Sequence, residues 1–174
     1  MKNKYELTKK TITHFGKKLF QIRATASFGI VSRGDLGGYI EKKNNLSQSG
    51  NAWVYGDAMV SGDARVSGDA RVYGDARVYG DAWVYGDARV YGDAMVSGDA
   101  RVYGDARVYG DAWVYGDAMV SGDARVSGNA WVYGKLKLKT RLCSRFNFEF
   151  DWQVKLWHKK EREFEAEVKK REKK

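Results

Sequence analysis

Two histidines, one cysteine and twelve aspartates spaced six apart from Asp57 to Asp123 are the residues through which this chain could do covalent, acid–base or metal chemistry. A histidine acts as general base only within hydrogen-bonding reach of the proton it removes. His14 and His158 both lie outside the regular part of the chain, His14 in an expected N-terminal hairpin and His158 among lysines, and both read as surface residues. Cys143 has no second cysteine to pair with and falls on an outward phase, so it reads as an idle thiol. No Cys/His cluster has zinc-ligand spacing and no phosphate loop is present, so no catalytic residue, metal site or cofactor is assigned. The aspartates follow glycine in every case, which reads as turn geometry; their spacing is not that of the nonapeptide calcium repeat.

What positions these residues is a repeat. Glycines recur every six residues from Gly50 to Gly134 and enclose fourteen hexads of the form G-[DN]-A-x-V-[YS], in which Gly, Ala and Val never change. Ala and Val alternate with variable residues, the pattern of a half-buried strand. The Gly-Asp pair supplies a corner, since glycine adopts positive φ freely and Asp or Asn tolerates the left-handed region better than other residues. One strand with two small apolar residues buries nothing alone, so successive strands must coil and stack in parallel.

The formal charge of +9 divides unevenly along the chain. Residues 1–49 carry +7, residues 50–134 carry −5 and residues 135–174 carry +7. Basicity therefore sits in the flanks, which weakens nucleic-acid binding as a role for the repeat surface. The start, MKNKYELTKKTITHF, has no apolar core of a signal peptide. No stretch is apolar enough for a membrane helix, so no membrane partner is expected. Since the lone Cys143 makes nothing depend on an oxidising compartment, the expected setting is the cytoplasm.

Four segments are expected. Residues 1–31 form an N-terminal hairpin cap, 32–134 the repeat region, 135–157 wider terminal coils or capping strands, and 158–174 a basic amphipathic helix with Phe164 and Val168 on one side. Extending the hexad phase backwards puts Leu36 on a valine place, Gly38 on a corner glycine place, and Ile40 and Leu46 on alanine places. Extended forwards, the phase puts Leu142 and Phe148 on alanine places.

Written from the valine, the hexad V-x-G-[DN]-A-x resembles the hexapeptide repeat of left-handed β-helix proteins. The resemblance implies a single-stranded, triangular parallel β-helix, all-β, left-handed, with 18 residues per coil. The stretch LFQIRATASFGIVSRGDLGGYIEKKNNLSQSGNAWVYGDA, with its IRA strand and GDLGG-Y-I-E…NLS segment, is similar to a bacterial and phage family over about residues 19–134. Its members are labelled polymer-forming cytoskeletal proteins or transferases of unassigned activity.

With 18 residues per coil, positions 18 apart stack into columns. One face carries Trp53, Arg71, Arg89, Arg107 and Arg125 beside Tyr55, Tyr73, Tyr91, Tyr109 and Ser127. The four arginines and four tyrosines of this most regular face are the candidate interaction residues, because both types are favoured at interfaces. The bland alternative is that amphipathic β-formers simply cover a thin core. The reading is a non-catalytic structural or interaction solenoid that partners protein or itself, as trimers or end to end. Two alternatives stand beside it: the resemblance allows an acyl-CoA-dependent trimeric acyltransferase, and the flanks, residues 158–174 above all, allow binding of an anionic polymer.

Overall fold

In the computed structural model, residues 3–139 are described in full, together with the backbone of two short strands, Leu142–Cys143 and Asn147–Phe148. Each hexad forms a strand of two or three residues and one corner. The strands wind through three sheets in turn, so every third strand joins the same sheet, and those sheets hold nine, six and five strands among the described residues. Within the repeats the register is uniform: Arg71 pairs with Arg89, Arg89 with Arg107, and Val90 with Val108, a shift of 18 residues per coil. The chain is an all-β parallel β-solenoid.

The same hydrogen bond recurs up the stack. The Trp53 amide donates to the Ala70 carbonyl at 3.1 Å, the Arg71 amide to Ala88 at 2.9 Å and the Arg89 amide to Ala106 at 2.9 Å. Amides thus point toward the C-terminal end and carbonyls toward the N-terminal end. Every Ala and Val of the fourteen hexads is buried, forming one continuous core along the prism axis. Thin as it is, that core removes the apolar surface from water, and each strand between the end coils is paired above and below.

The corners confirm half of the expectation. Gly86 has φ of 70°, and a Cβ on it would lie 3.0 Å from the Gly104 nitrogen in the coil above, so both conformation and space demand glycine. The aspartates, however, do not enter the left-handed region: Phe15 is the sole non-glycine residue with positive φ among the described residues. Glycine alone makes the corner, and the following Asp is in line to pair its backbone instead. The Asp69 amide donates to the Gly86 carbonyl at 2.9 Å, extending the ladder around the edge.

The N-terminal hairpin is present. Strand β1 (Tyr5–His14) pairs antiparallel with β2 (Lys17–Ala24) across the Phe15–Gly16 turn, where both residues have positive φ. Strand β2 pairs antiparallel with β3 (Leu36–Ile40), the first parallel strand of the solenoid.

The phase at both ends differs from expectation. Ile40 pairs with Val60 and Leu46 bridges to Val66, so both occupy valine places, not alanine places. Gly38 lies inside β3 and is not a corner, and Leu36 is 60% exposed. Two extra residues between Leu46 and Val54 account for the shift. At the other end Leu142 pairs with Val126 and Phe148 with Val132, sixteen residues apart, so that coil is two residues short. A slip of two leaves the same side chains facing inward, so apolar alternation could not reveal either one. Residues 149–157 and the expected helix at 158–174 lie outside the described residues.

Candidate interaction face

The expected columns form. On the six-stranded sheet Arg71, Arg89, Arg107 and Arg125 are paired neighbours in successive coils. Beside them Tyr73 and Tyr91 stack with centroids 4.7 Å apart and planes 2° from parallel, and Tyr91 and Tyr109 stack at 4.9 Å and 3°. The spacing follows from the strand separation of about 4.8 Å, which sets each ring at van der Waals contact with the next. Burial between its neighbours raises the Tyr91 phenol above its ordinary pKa, as do the Tyr73 and Tyr109 hydroxyls, while Arg107 and Arg125 act the other way.

The column is not uniform from end to end. Trp53, expected to head the arginine column on the surface, is 1% exposed. Its neighbour in the sheet is Arg71 as expected, but the N-terminal segment folds over it: Tyr5 and Phe28 meet its ring edge-on with centroids 6.1 and 5.4 Å away. Tyr55 likewise packs edge-on against Trp53, at 6.5 Å, and its phenol is raised by burial.

Beside Tyr55 a tight turn projects from the segment between β2 and β3. Phe28 and Val31 bridge each other, Gly29 takes φ of 50°, and Ile30 stands at the tip, 69% exposed. Ile30, Tyr55, Arg71, Tyr73 and Arg89 line an open cleft of about 300 Å³. The regular face is thus bounded at its N-terminal end by an apolar wall that the periodicity did not announce.

Charge around this face is unbalanced. The ion pairs among the described residues are Lys17–Glu41 (3.1 Å), Arg23–Glu6 and Lys42–Asp63 (2.6 Å), so none of the four arginines of the column has a carboxylate partner there. On the third sheet, by contrast, the Arg65 and Arg101 guanidinium groups sit 5.3 and 5.8 Å from the Trp83 ring centroid, a sandwich of cation–π contacts. On the nine-stranded sheet Trp113 and Trp131 stack at 5.1 Å.

The two chemistry-bearing groups fare differently. His14 is not a free surface residue: its ring lies 4.2 Å from the Phe15 ring, and its Nε2 is buried without a hydrogen-bond partner. Burial holds its pKa below the ordinary value, and the nearby Arg77 adds to that. The Cys143 side chain and His158 lie outside the described residues. No group of three or more His, Cys, Asp or Glu that could hold a metal occurs among the described residues. No helix among them is long and apolar enough to cross a membrane.

The residues that periodicity missed seal the N-terminal end. A solenoid end leaves carbonyls unpaired. Buried Asn45 donates from Nδ2 to the carbonyls of Gly62 (3.0 Å) and Ala64 (2.9 Å) and accepts from the Lys42 amide. The Lys4 ammonium donates to Ala52 O at 2.9 Å and Gly50 O at 3.3 Å, and burial lowers its pKa to about 8. The Tyr5 hydroxyl lies 2.8 Å from the carbonyls of both Lys43 and Leu46 and is pushed up to about 12 by burial.

Residues 52–68, 58–74, 70–86, 88–102, 100–116 and 118–134 match the family model of the YdcK beta solenoid repeat. Over these residues the hexads are similar to that repeat. The matches fall within the regular hexads and stop short of the N-terminal hairpin, while the 18-residue coil is shown by the register of the strands. The chain is therefore a tandem-repeat β-solenoid by sequence and structure alike. No curated protein matches it.

Proposed function

We propose that this chain is a non-catalytic interaction solenoid of the cytoplasm that binds protein, including further copies of itself, through its patterned faces and ends. The observation that carries the reading is the parallel Tyr73–Tyr91–Tyr109 stack beside an arginine column that has no carboxylate partner among the described residues. Stacked rings on a rigid sheet lose little freedom on binding, which lowers the cost of association. Tyr and Arg are also the residue types that dominate interface energetics. The coil is taken as left-handed and of the hexapeptide type because the V-x-G-[DN]-A-x pattern resembles the repeat of left-handed β-helix proteins, the spacing alone leaving the hand open.

Sedimentation velocity with electron microscopy of the full chain tests this reading. Discrete oligomers or filaments are expected; a monomer at every accessible concentration, in low salt, would overturn self-association.

A further inference from the structure

Resting on the self-association proposed above, we propose that two copies meet in parallel about a two-fold axis running along the prism. In this pairing the arginine column Arg71–Arg89–Arg107 of each copy faces the corner aspartates Asp75, Asp93 and Asp111 of the other.

Three aspartate columns run along the corners, and they differ only at their N-terminal ends. Asp81, Asp99 and Asp117 of the first and Asp87, Asp105 and Asp123 of the second are exposed and without ion pairs among the described residues. At its N-terminal end the first is engaged, since Lys42 pairs with Asp63 at 2.6 Å. The second is engaged too: Asn51 donates to both carboxylate oxygens of Asp69 at 3.2 Å, and Lys4 lies close enough for Asp69 to raise its pKa. The third, containing Asp75, Asp93 and Asp111, is exposed and has no ion-pair partner among the described residues. This column occupies the corner immediately after the stacked tyrosines, in the order Arg71, Tyr73, Asp75 along one coil.

Among the described residues each copy therefore presents a cationic column and an anionic column without ion pairs on either side of an aromatic one. All three share one pitch, because each is set by the same strand separation of about 4.8 Å. A two-fold axis along the prism, close to the tyrosine column, superposes cation on anion twice and lays tyrosine against tyrosine between them. Such an isologous contact is self-complementary, since residue i meets j and j meets i. The two copies stay parallel and match coil for coil, Arg71 with Asp75, Arg89 with Asp93 and Arg107 with Asp111. The same operation brings the exposed Ile30 turns of the two copies to one end of the contact, where they are covered. An antiparallel face-to-face arrangement would instead oppose arginine to arginine, and repulsion of like charges disfavours it.

Charge reversal tests the pairing. One variant of the full chain carries Arg89→Glu with Arg107→Glu, and a second carries Asp93→Arg with Asp111→Arg. Sedimentation equilibrium should show each alone as a monomer and an equimolar mixture as a heterodimer, because in the mixed pair both ladders join opposite charges. Wild-type dimerisation should weaken by roughly tenfold or more between low and high salt, as surface charges become screened. If the wild type dimerises and the reversed variants dimerise equally well alone, the pairing is wrong while self-association stands. If the wild type is monomeric throughout, self-association itself falls. Far-ultraviolet circular dichroism checks the fold; should a reversed variant unfold, Arg89→Gln with Arg107→Gln replaces it and must still weaken the dimer at least severalfold.

Discussion

Asn45 shows how much one side chain does at an otherwise open edge. It is fully buried and its amide nitrogen serves the carbonyls of Gly62 and Ala64. Asn45→Ala leaves both carbonyls buried without donors, and stability should fall by about 2–4 kcal/mol, read from denaturant midpoints. Lys4 makes a second, pH-dependent statement. Its folded pKa is lowered from 10.5 to about 8, so between those values the unfolded chain binds more protons. Stability must rise with pH across that window. Compared with Lys4→Met, the wild type should gain stability between pH 8 and 10; equal slopes in urea titrations would contradict the burial of the ammonium. Acid–base chemistry at His14 is tested as directly. Calorimetry with acetyl-CoA should detect no saturable binding, whereas micromolar binding lost in His14→Ala would establish the acyl-transfer alternative.

At the scale of the element, the hexad combines two demands on glycine that can be separated. Gly86 and Gly128 both have positive φ, 70° and 65°. A Cβ at Gly86 meets the Gly104 nitrogen at 3.0 Å, while one at Gly128 meets nothing within 4 Å among the described residues. Gly128→Ala should therefore cost only the left-handed conformation, about 1–2 kcal/mol, and Gly86→Ala should lower the thermal midpoint clearly more. Strand and corner were legible from the repeat because three invariant positions hold phase over fourteen copies, and the 18-residue coil was what the resemblance to left-handed β-helix repeats implied. So were the arginine and tyrosine columns, which follow from counting eighteens. The end coils were not, because slips of two at Leu46–Val54 and before Leu142 keep the same side chains inside. Nor were Lys4, Asn45 and Ile30: they belong to non-repeating segments, and only the folded ends bring them to the carbonyls and the cleft they serve. Trp53 was assigned to the right column but the wrong environment, since nothing in its hexad says that Tyr5 and Phe28 cover it.

The whole molecule behaves as a one-dimensional stack in which length and facing are separately adjustable. Deleting one full coil, residues 86–103, restores every column in register, so the shortened chain should fold and keep its three faces. Deleting a single hexad, residues 86–91, should also fold but turn every later face by one position, so that the arginine column is broken after Arg71. The tryptophans Trp53, Trp83 and Trp113, thirty residues apart, fall on different faces for the same reason. Circular dichroism would show strand content retained in both, and sedimentation would show association surviving only the full-coil deletion. The central claim is that the patterned face joins copies of the chain, and sedimentation equilibrium of the wild type in low salt at tens of micromolar tests it most directly. The account predicts a mass of twice 19.7 kDa that falls toward the single-chain value as salt is raised; a single-chain mass at every concentration and salt would contradict it.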